Sequence, residues 1–345
     1  RRVIMSEFRI DQIKSQDASR GPDVAGITTF TGTSGIVMPS GNTAYRGGRG
    51  RGVFAGGATP TIQNVIDYIT IATTGNASDF GDLNLGSRGS AGYSSATRGF
   101  ISGGAITASP NVTASIRYVE IQSTGNSFDF GDLTSTVNNV DGGGCADSTR
   151  GLHMGGIGSS NNDTVNYITM ASKGNASEFG KLIQGTQLNG GTSNSTRGIS
   201  CGGNPSLNLN TIEFCTIQTT GNFEDFGDLV SSNRNNAAAS DDTRGVIFGG
   251  YAAPAYTDTI QYVTIASLGD AIDFGNLSTA ALNGGAVSNN TRGVYYLGDT
   301  TPGGNLNTIE YVNIQTLGNS IDFGDVTVTR KSVLACFSDS HGGLS

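Results

Sequence analysis

The sequence has no tryptophan, only two histidines and only 14% charged residues in a chain of 345. Acidic residues outnumber basic ones by 28 to 20, so the net charge is −8, and neither nucleic acid nor an anionic lipid surface is an expected partner. His153 and His341 lie far apart in the chain, which disfavours a histidine-rich metal centre or a serine triad. We therefore predict no catalytic, cofactor-binding or metal-binding residues.

Long apolar runs are also absent. No segment approaches the ~20 apolar residues of a membrane-spanning helix, so we expect no membrane insertion. Residues 1–17 lack the apolar centre of a signal peptide, so export by the general secretory route is not expected. Met5 begins a plausible translation start, which leaves open whether Arg1 to Ile4 are native.

What the sequence has in abundance is glycine, with 53 residues, together with many asparagines, serines and threonines. This composition is typical of many short strands joined by tight turns. Long helices are not expected, and the fold class that the composition predicts is all-β.

The clearest feature is a phrase that recurs six times with a period near 48 residues. Its first copy consists of residues 66–71, a Thr-Gly-Asn turn and the segment 79–83. A Phe-Gly pair in this phrase places phenylalanine at Phe80, Phe130, Phe179, Phe226, Phe274 and Phe323. A second phrase, which ends in Gly-Gly in every copy but the last, places arginine at Arg51, Arg98, Arg150, Arg197, Arg244 and Arg292. Regularity over almost 300 residues indicates a repeat architecture.

Each repeat offers four short strand candidates, which in the second unit are residues 89–95, 99–103, 115–121 and 128–133. Four strands in about 48 residues match one blade of a β-propeller. The order of an apolar strand ending in Gly-Gly, a strand with tyrosine and a strand with an aromatic residue and leucine resembles the kelch repeat. Phenylalanine replaces the tryptophan of that repeat throughout. The resemblance implies a six-bladed kelch-like β-propeller.

Closure of the propeller requires that the last blade joins the first, because an open sheet edge invites aggregation. The segment Ser332 to Phe337 resembles the first strand of a further repeat, and we expect it to complete the first blade beside Arg51 to Gly57. A seven-bladed ring is the alternative. The predicted domains are an extended N-terminal arm, residues 1–45, and the propeller, residues 46–345.

The repeated side chains are predicted to be structural. We expect the six phenylalanines to be buried between blades, and each arginine to pair with the acid of the first phrase or to bind turn carbonyls. That acid recurs at Asp79, Asp129, Glu178, Asp225, Asp273 and Asp322. Cys201 and Cys215 fall on neighbouring predicted strands, which leaves open a disulfide or two free buried thiols.

The arm carries a second resemblance. Its segment Gly35 to Ala44, a glycine with apolar residues followed by Pro-Ser-Gly-Asn-Thr-Ala, is similar to linkers in tail-fibre proteins of tailed bacteriophages. The Thr-Gly-Asn and Asp-Phe-Gly-Asp-Leu repeat is similar to that of virion proteins of phages infecting marine and aquatic bacteria. The resemblance implies a virion fibre or appendage subunit, made in the host cytoplasm, that docks to other virion proteins through its arm and forms a homo-oligomer.

The propeller is then expected to bind a host-surface glycan or protein, or a neighbouring subunit. The loops that vary most between repeats are the predicted contact surfaces: Ile106 to Ala114, Asn204 to Asn210 and Tyr251 to Asp258. Two alternatives remain, a cellular kelch-type interaction adaptor and a carbohydrate-active enzyme that uses a carboxylate pair.

Overall fold

The computed structural model describes residues 50–107, 111–134, 143–157, 160–300, 304–331 and 335–344. This part of the chain is all-β, as the composition predicts, and its one helix is a short 3-10 turn at Gly342–Leu344. Within these ranges no helix is long and apolar enough to cross a membrane. The predicted arm and the first part of the predicted closing strand, Ser332 to Leu334, lie outside the described residues.

The strands of the described ranges are short, and most have four to six residues. In chain order they are β1 (Arg51–Ala55), β2 (Val65–Thr70), β3 (Ser78–Asp82), β4 (Ala91–Ser94), β5 (Arg98–Ser102), β6 (Ser115–Glu120), β7 (Phe128–Asp132), β8 (Gly143–Ala146), β9 (Arg150–Met154), β10 (Thr164–Thr169), β11 (Ser177–Lys181), β12 (Gly190–Ser193), β13 (Arg197–Cys201), β14 (Leu209–Thr216), β15 (Glu224–Asn233), β16 (Ala237–Ser240), β17 (Arg244–Phe248), β18 (Tyr251–Ala252), β19 (Ala255–Tyr256), β20 (Thr259–Thr264), β21 (Ile272–Asn276), β22 (Ala281–Leu282), β23 (Gly285–Ser288), β24 (Arg292–Tyr296), β25 (Asp299–Thr300), β26 (Gly304–Asn305), β27 (Thr308–Asn313), β28 (Ile321–Asp325) and β29 (Ala335–Ser338).

These strands form small antiparallel sheets, of which those with four strands follow the sequence repeat. We number them sheet 1 (β29-β1-β2-β3), sheet 2 (β4 to β7), sheet 3 (β8 to β11), sheet 4 (β12 to β15), sheet 5 (β16-β17-β20-β21) and sheet 6 (β23-β24-β27-β28). In each sheet the strands are called first to fourth in this order. A hairpin, β18-β19, and a three-stranded sheet, β22-β25-β26, are additions within repeats five and six.

Strand burial explains why the apolar alternation in the sequence is only partial. In every second strand, the arginine is half-buried and the four residues that follow are buried, so both faces are covered. Strands covered on both faces do not need polar residues at every other position. The fourth strands are the outer strands of the sheets, and among their first five residues only the phenylalanine is buried, as in β3.

The hydrophobic core is divided into clusters that lie between consecutive sheets. Phe80 of sheet 1, for instance, packs in one cluster with Ile101 and Val119 of sheet 2. Another cluster joins sheet 6 to sheet 1 through Phe323 and Ile69. Each first strand also contacts the first strands of the sheets before and after it, and β23 of sheet 6 contacts β29 of sheet 1. This arrangement of small antiparallel sheets is compatible with a β-propeller.

Sheet 1 combines both ends of the described chain. As predicted, the C-terminal strand β29 pairs with β1, with Phe337 opposite Val53. The junction also reproduces the hydrogen bonds of a covalent turn: the Asp339 carboxylate accepts from the Arg51 amide at 2.9 Å, as Asp147 does from Arg150 at 2.7 Å in sheet 3. The first sheet is therefore closed by hydrogen bonds and side-chain packing instead of a peptide linkage.

Candidate functional site

The six repeat phenylalanines occupy equivalent buried positions, one in each sheet. Their exposed fractions are 2 or 3%, in agreement with the expected burial. Each ring meets the aromatic residue of the third strand edge to face, as Phe80 meets Tyr68 with centroids 5.9 Å apart. Edge-to-face geometry is favoured because the positive edge of one ring faces the negative face of the other. These residues are dispersed around the molecule and do not form one site.

The repeat arginines bind turn carbonyls, the second of the two predicted alternatives. The Arg51 guanidinium donates to the Ile121 carbonyl of the next sheet at 2.8 Å, and Arg292 of sheet 6 donates to the Ile71 carbonyl of sheet 1 at 3.1 Å. Each arginine also lies over the aromatic ring of its own third strand, 4.5–5.1 Å from the centroid. The acid of the phrase is exposed, so the arginine links adjacent sheets without it.

A hydrogen-bonded clamp explains why the first phrase is repeated. The Gly125 amide of the turn in sheet 2 donates to the Phe80 carbonyl at 2.8 Å, and the Asp82 amide donates to the Asn126 side-chain oxygen at 3.0 Å. The same pair of bonds joins sheet 6 to sheet 1, from Gly75 to Phe323 and from Asp325 to Asn76. Because the clamp uses only the backbone amide of residue 82, the equivalent positions tolerate Lys181 and Asn276, whose amides make the same bond.

Sequence reasoning missed a buried polar position in the third strands, one residue before the aromatic. It is occupied by Asp67, Arg117, Asn166, Glu213, Gln261 and Glu310, all at most 3% exposed. Each side chain binds the segment that enters its sheet from the preceding one; Glu213, for example, accepts from the Ile183 amide at 2.7 Å. The sequence shows a polar residue between an apolar and an aromatic one at this position, but its type changes from one repeat to the next, so no common motif marks it.

Burial shifts the pKa of several of these groups. Loss of hydration raises the pKa of Glu213 to about 7 and lowers the pKa of Arg117 to about 10. Asp67 is paired with Arg330 at 2.6 Å, and burial raises its pKa although the guanidinium opposes the change. Arg117 is held instead by neutral groups, including the Gly103 carbonyl at 2.9 Å. These shifts come from packing between sheets and do not converge on one pocket.

The histidines and cysteines do not gather into a reactive centre. His153 is buried in β9 with its Nδ1 2.7 Å from the Ser102 hydroxyl, and burial lowers its pKa to about 4. The cysteines are free thiols. Cys201 lies opposite Ile212 in the strand register, three positions away from Cys215, so the two do not pair. Across the described part of the chain, no group of three His, Cys, Asp or Glu residues is placed to hold a metal ion.

The central cavity, lined by the first strands, is small. It measures about 60 Å³ and is lined mainly by glycine, alanine and serine, with His341 at one end. This volume lies well below the roughly 300–1,000 Å³ of typical small-molecule sites.

A larger groove lies between sheets 4 and 5, with a volume of about 570 Å³. We call it the loop groove, and its lining residues are Asn204, Ser206, Leu207, Asn208, Ser231, Ser232, Arg234, Tyr251, Ala252 and Ala253. Its walls are local departures from the repeat: β14 and β15 are longer than the equivalent strands, and β18-β19 is an added hairpin. The groove unites two of the predicted contact loops.

The groove walls are held together by contacts between sheets 4 and 5. The Arg234 guanidinium lies 4.7 Å from the centre of the Tyr251 ring, and the Tyr251 amide donates to the Arg234 carbonyl at 2.7 Å. The Asn208 side-chain amide donates to the Tyr251 carbonyl at 2.9 Å. Leu207 is 78% exposed at the rim. The result is a preformed surface of amides, hydroxyls and one aromatic ring.

Comparison with known proteins adds no family to this description: no family model matches the chain, and a search of curated proteins returns no match.

Proposed function

We propose that residues 46–345 form a six-bladed kelch-like β-propeller carried on an N-terminal arm, residues 1–45. The contacts that run from sheet to sheet and return from sheet 6 to sheet 1 support six blades. A seventh blade would have to enter between sheets 6 and 1, where the Gly75 amide already donates to the Phe323 carbonyl at 2.8 Å.

We propose further that the chain is a phage virion protein, a fibre or appendage subunit. The arm attaches it to other virion proteins, and the propeller presents the loop groove to a host-surface glycan. The resemblance of the repeat and of the arm to virion proteins supports the setting. The observation that carries the binding role is the loop groove, because it is where the chain departs from an otherwise regular repeat.

A glycan suits the chemistry of the loop groove. Among the described lining residues, amide and hydroxyl side chains predominate, no carboxylate is present and the single cation, Arg234, lies over Tyr251. A sugar offers several hydroxyls to such groups and an apolar ring face to tyrosine or leucine. The volume of about 570 Å³ falls within the usual range for small-molecule sites. With a net charge of −8, the chain favours a neutral glycan over an acidic one.

The groove is tested by blocking it. The full-length protein is applied to an array of bacterial surface polysaccharides, and the Ser231→Arg variant places a long side chain in the groove. Ser123→Arg, on an exposed turn of sheet 2, is the matched control. We expect at least a tenfold loss of binding for Ser231→Arg and none for Ser123→Arg. Equal binding by all three proteins would contradict the groove assignment, and release of free sugar would favour the enzyme alternative.

The virion setting is tested separately. Antibodies raised against residues 46–345 should label the outside of phage particles in immunogold electron micrographs. Labelling of host cells without labelling of particles would favour the cellular adaptor.

A further inference from the structure

The first strands end in a chain of serine hydroxyls that runs around the central cavity. The last residue of each first strand is Ser94, Ala146, Ser193, Ser240, Ser288 or Ser338. Each serine hydroxyl donates to the backbone carbonyl of the equivalent residue in the preceding sheet, at 2.6–2.8 Å. The links run from Ser94 back through sheets 1, 6, 5 and 4 to Ala146 of sheet 3.

Sheet 3 interrupts this ring because Ala146 has no hydroxyl to offer. The carbonyl of Ser94, which the missing hydroxyl would bind, is buried in sheet 2 and needs a donor, since an unpaired buried carbonyl is costly. The donor comes from the C-terminal segment: His341 Nε2 lies 2.9 Å from the Ser94 oxygen. His341 thus occupies the one break in the serine ring.

The remaining contacts of this segment fit the same place. The Gly343 amide donates to His341 Nδ1 at 3.1 Å, so Nε2 carries the proton that is donated to Ser94. A Cβ atom on Gly343 would lie 1.8 Å from the Ala146 carbonyl oxygen, and one on Gly342 would lie 2.1 Å from the Asp241 oxygen. Only glycine permits this approach. The short helix Gly342–Leu344 is buried against β8, β12 and β16.

We propose that residues 340–344 are a plug that seals the central cavity at the carboxyl ends of the first strands, and that Ala146 is the position that admits it. A serine at residue 146 would satisfy the Ser94 carbonyl and compete with His341. The loop groove lies among the connections between second and third strands, which in these antiparallel sheets are at the opposite end. The plug therefore leaves the groove face open. This inference does not depend on the ligand proposed above.

The test compares three full-length variants by hydrogen exchange of the peptide covering residues 339–345. In the parent, the Gly343 and Leu344 amides are hydrogen-bonded and should exchange slowly. His341→Ala and Ala146→Ser should each accelerate their exchange at least tenfold, with the strand amides unchanged. Ser288→Ala breaks a ring link that involves neither Ser94, Ala146 nor His341, and it should leave the exchange of residues 339–345 as in the parent.

Limited proteolysis gives an independent readout of the same segment, with faster cleavage within residues 339–345 expected for His341→Ala and Ala146→Ser only. Unchanged protection of residues 339–345 in either of these variants would overturn the proposal. So would an equal loss of protection in Ser288→Ala, because the segment would then respond to the stability of the whole ring.

Discussion

At the residue scale, the most informative position is the buried polar residue of each third strand. Asn166 and Gln261 bury neutral amide side chains at this position, whereas Glu213 buries a carboxyl group there. Gln261 accepts from the Val230 amide at 2.9 Å, and Glu213 accepts from the Ile183 amide at 2.7 Å. The same hydrogen bond is therefore made with and without a charge, which isolates the cost of burying that charge.

Replacement of Glu213 by glutamine should stabilise the protein at high pH. The folded-state pKa of about 7 lies above the ordinary value of 4.5, so the folded protein binds more protons between these values and its stability falls as pH rises. Glu213→Gln removes this dependence and keeps the acceptor. We expect it to raise the free energy of unfolding by about 1–3 kcal/mol at pH 8 and by close to zero at pH 4.5.

Urea unfolding of parent and variant at pH 4.5, 6 and 8 measures this difference in free energy. The contributions of the other titrating groups are the same in both proteins and cancel. The reciprocal change, Gln261→Glu, should introduce the pH dependence that Glu213→Gln removes. A stability difference that does not change with pH would show that the Glu213 carboxyl group has an ordinary pKa.

At the scale of the element, the junction of a fourth strand with the next turn organises each pair of sheets. The register between third and fourth strands shifts at Phe80, which has no partner residue opposite it, so the strand carries a β-bulge. Gly81 follows with φ +144°, and a Cβ atom on it would lie only 2.5 Å from the Gly125 carbonyl oxygen. The bulge aims the phenylalanine into the core while the glycine admits the neighbouring turn.

Alanine at Gly81 should therefore weaken the junction between sheets 1 and 2. The added Cβ would meet backbone atoms, which cannot move aside as a flexible side chain can. We expect Gly81→Ala to cost about 2–4 kcal/mol of the free energy of unfolding. Gly75→Ala is the matched control: its φ is also positive, +154°, but its Cβ would lie in open space, and we expect about 1 kcal/mol. Equal costs in urea unfolding would mean that backbone strain, and not the contact between sheets, decides the effect.

At the scale of the whole molecule, sheet 1 joins the two ends of the described chain. β29 supplies the first strand of sheet 1, and Phe337 packs in the cluster that also holds Phe80. Gly99 of sheet 2 leaves room for the Phe337 ring, since a Cβ atom at this position would lie 1.8 Å from a ring carbon. The C-terminal strand is thus bound both along its backbone and by its side chain.

Deletion of Lys331 to Ser345 should abolish cooperative unfolding, because it exposes the edge of β1 and empties the site of Phe337. Deletion of residues 340–345 alone retains β29 and should keep the transition. Deletion of Met5 to Asn42 should leave the six sheets folded, because the predicted arm has too few large apolar residues for a core of its own, and should abolish the attachment to other virion proteins that we propose for the arm. Thermal circular dichroism and dye binding by exposed apolar surface distinguish these cases. A cooperative transition in the protein lacking residues 331–345, or its loss on removal of the arm, would contradict this division.

The sequence by itself determined the all-β class, the period and the four strands of each unit, because these depend on local patterns of glycine, aromatic and apolar residues that recur along the chain. It also predicted the pairing of the C-terminal strand with β1, because a further first strand at the end of the chain has to complete the first unit. It could not show that the Arg51 guanidinium reaches the Ile121 carbonyl, that Glu213 is buried or that Cys201 and Cys215 lie out of register. Such facts depend on which residues the packed sheets bring together. The loop groove and the position of His341 were also decided by the tertiary structure. The groove forms where the longer β15 of sheet 4 faces the added hairpin of sheet 5. His341 binds the Ser94 carbonyl because Ala146 of sheet 3 lacks the hydroxyl that the other first strands supply.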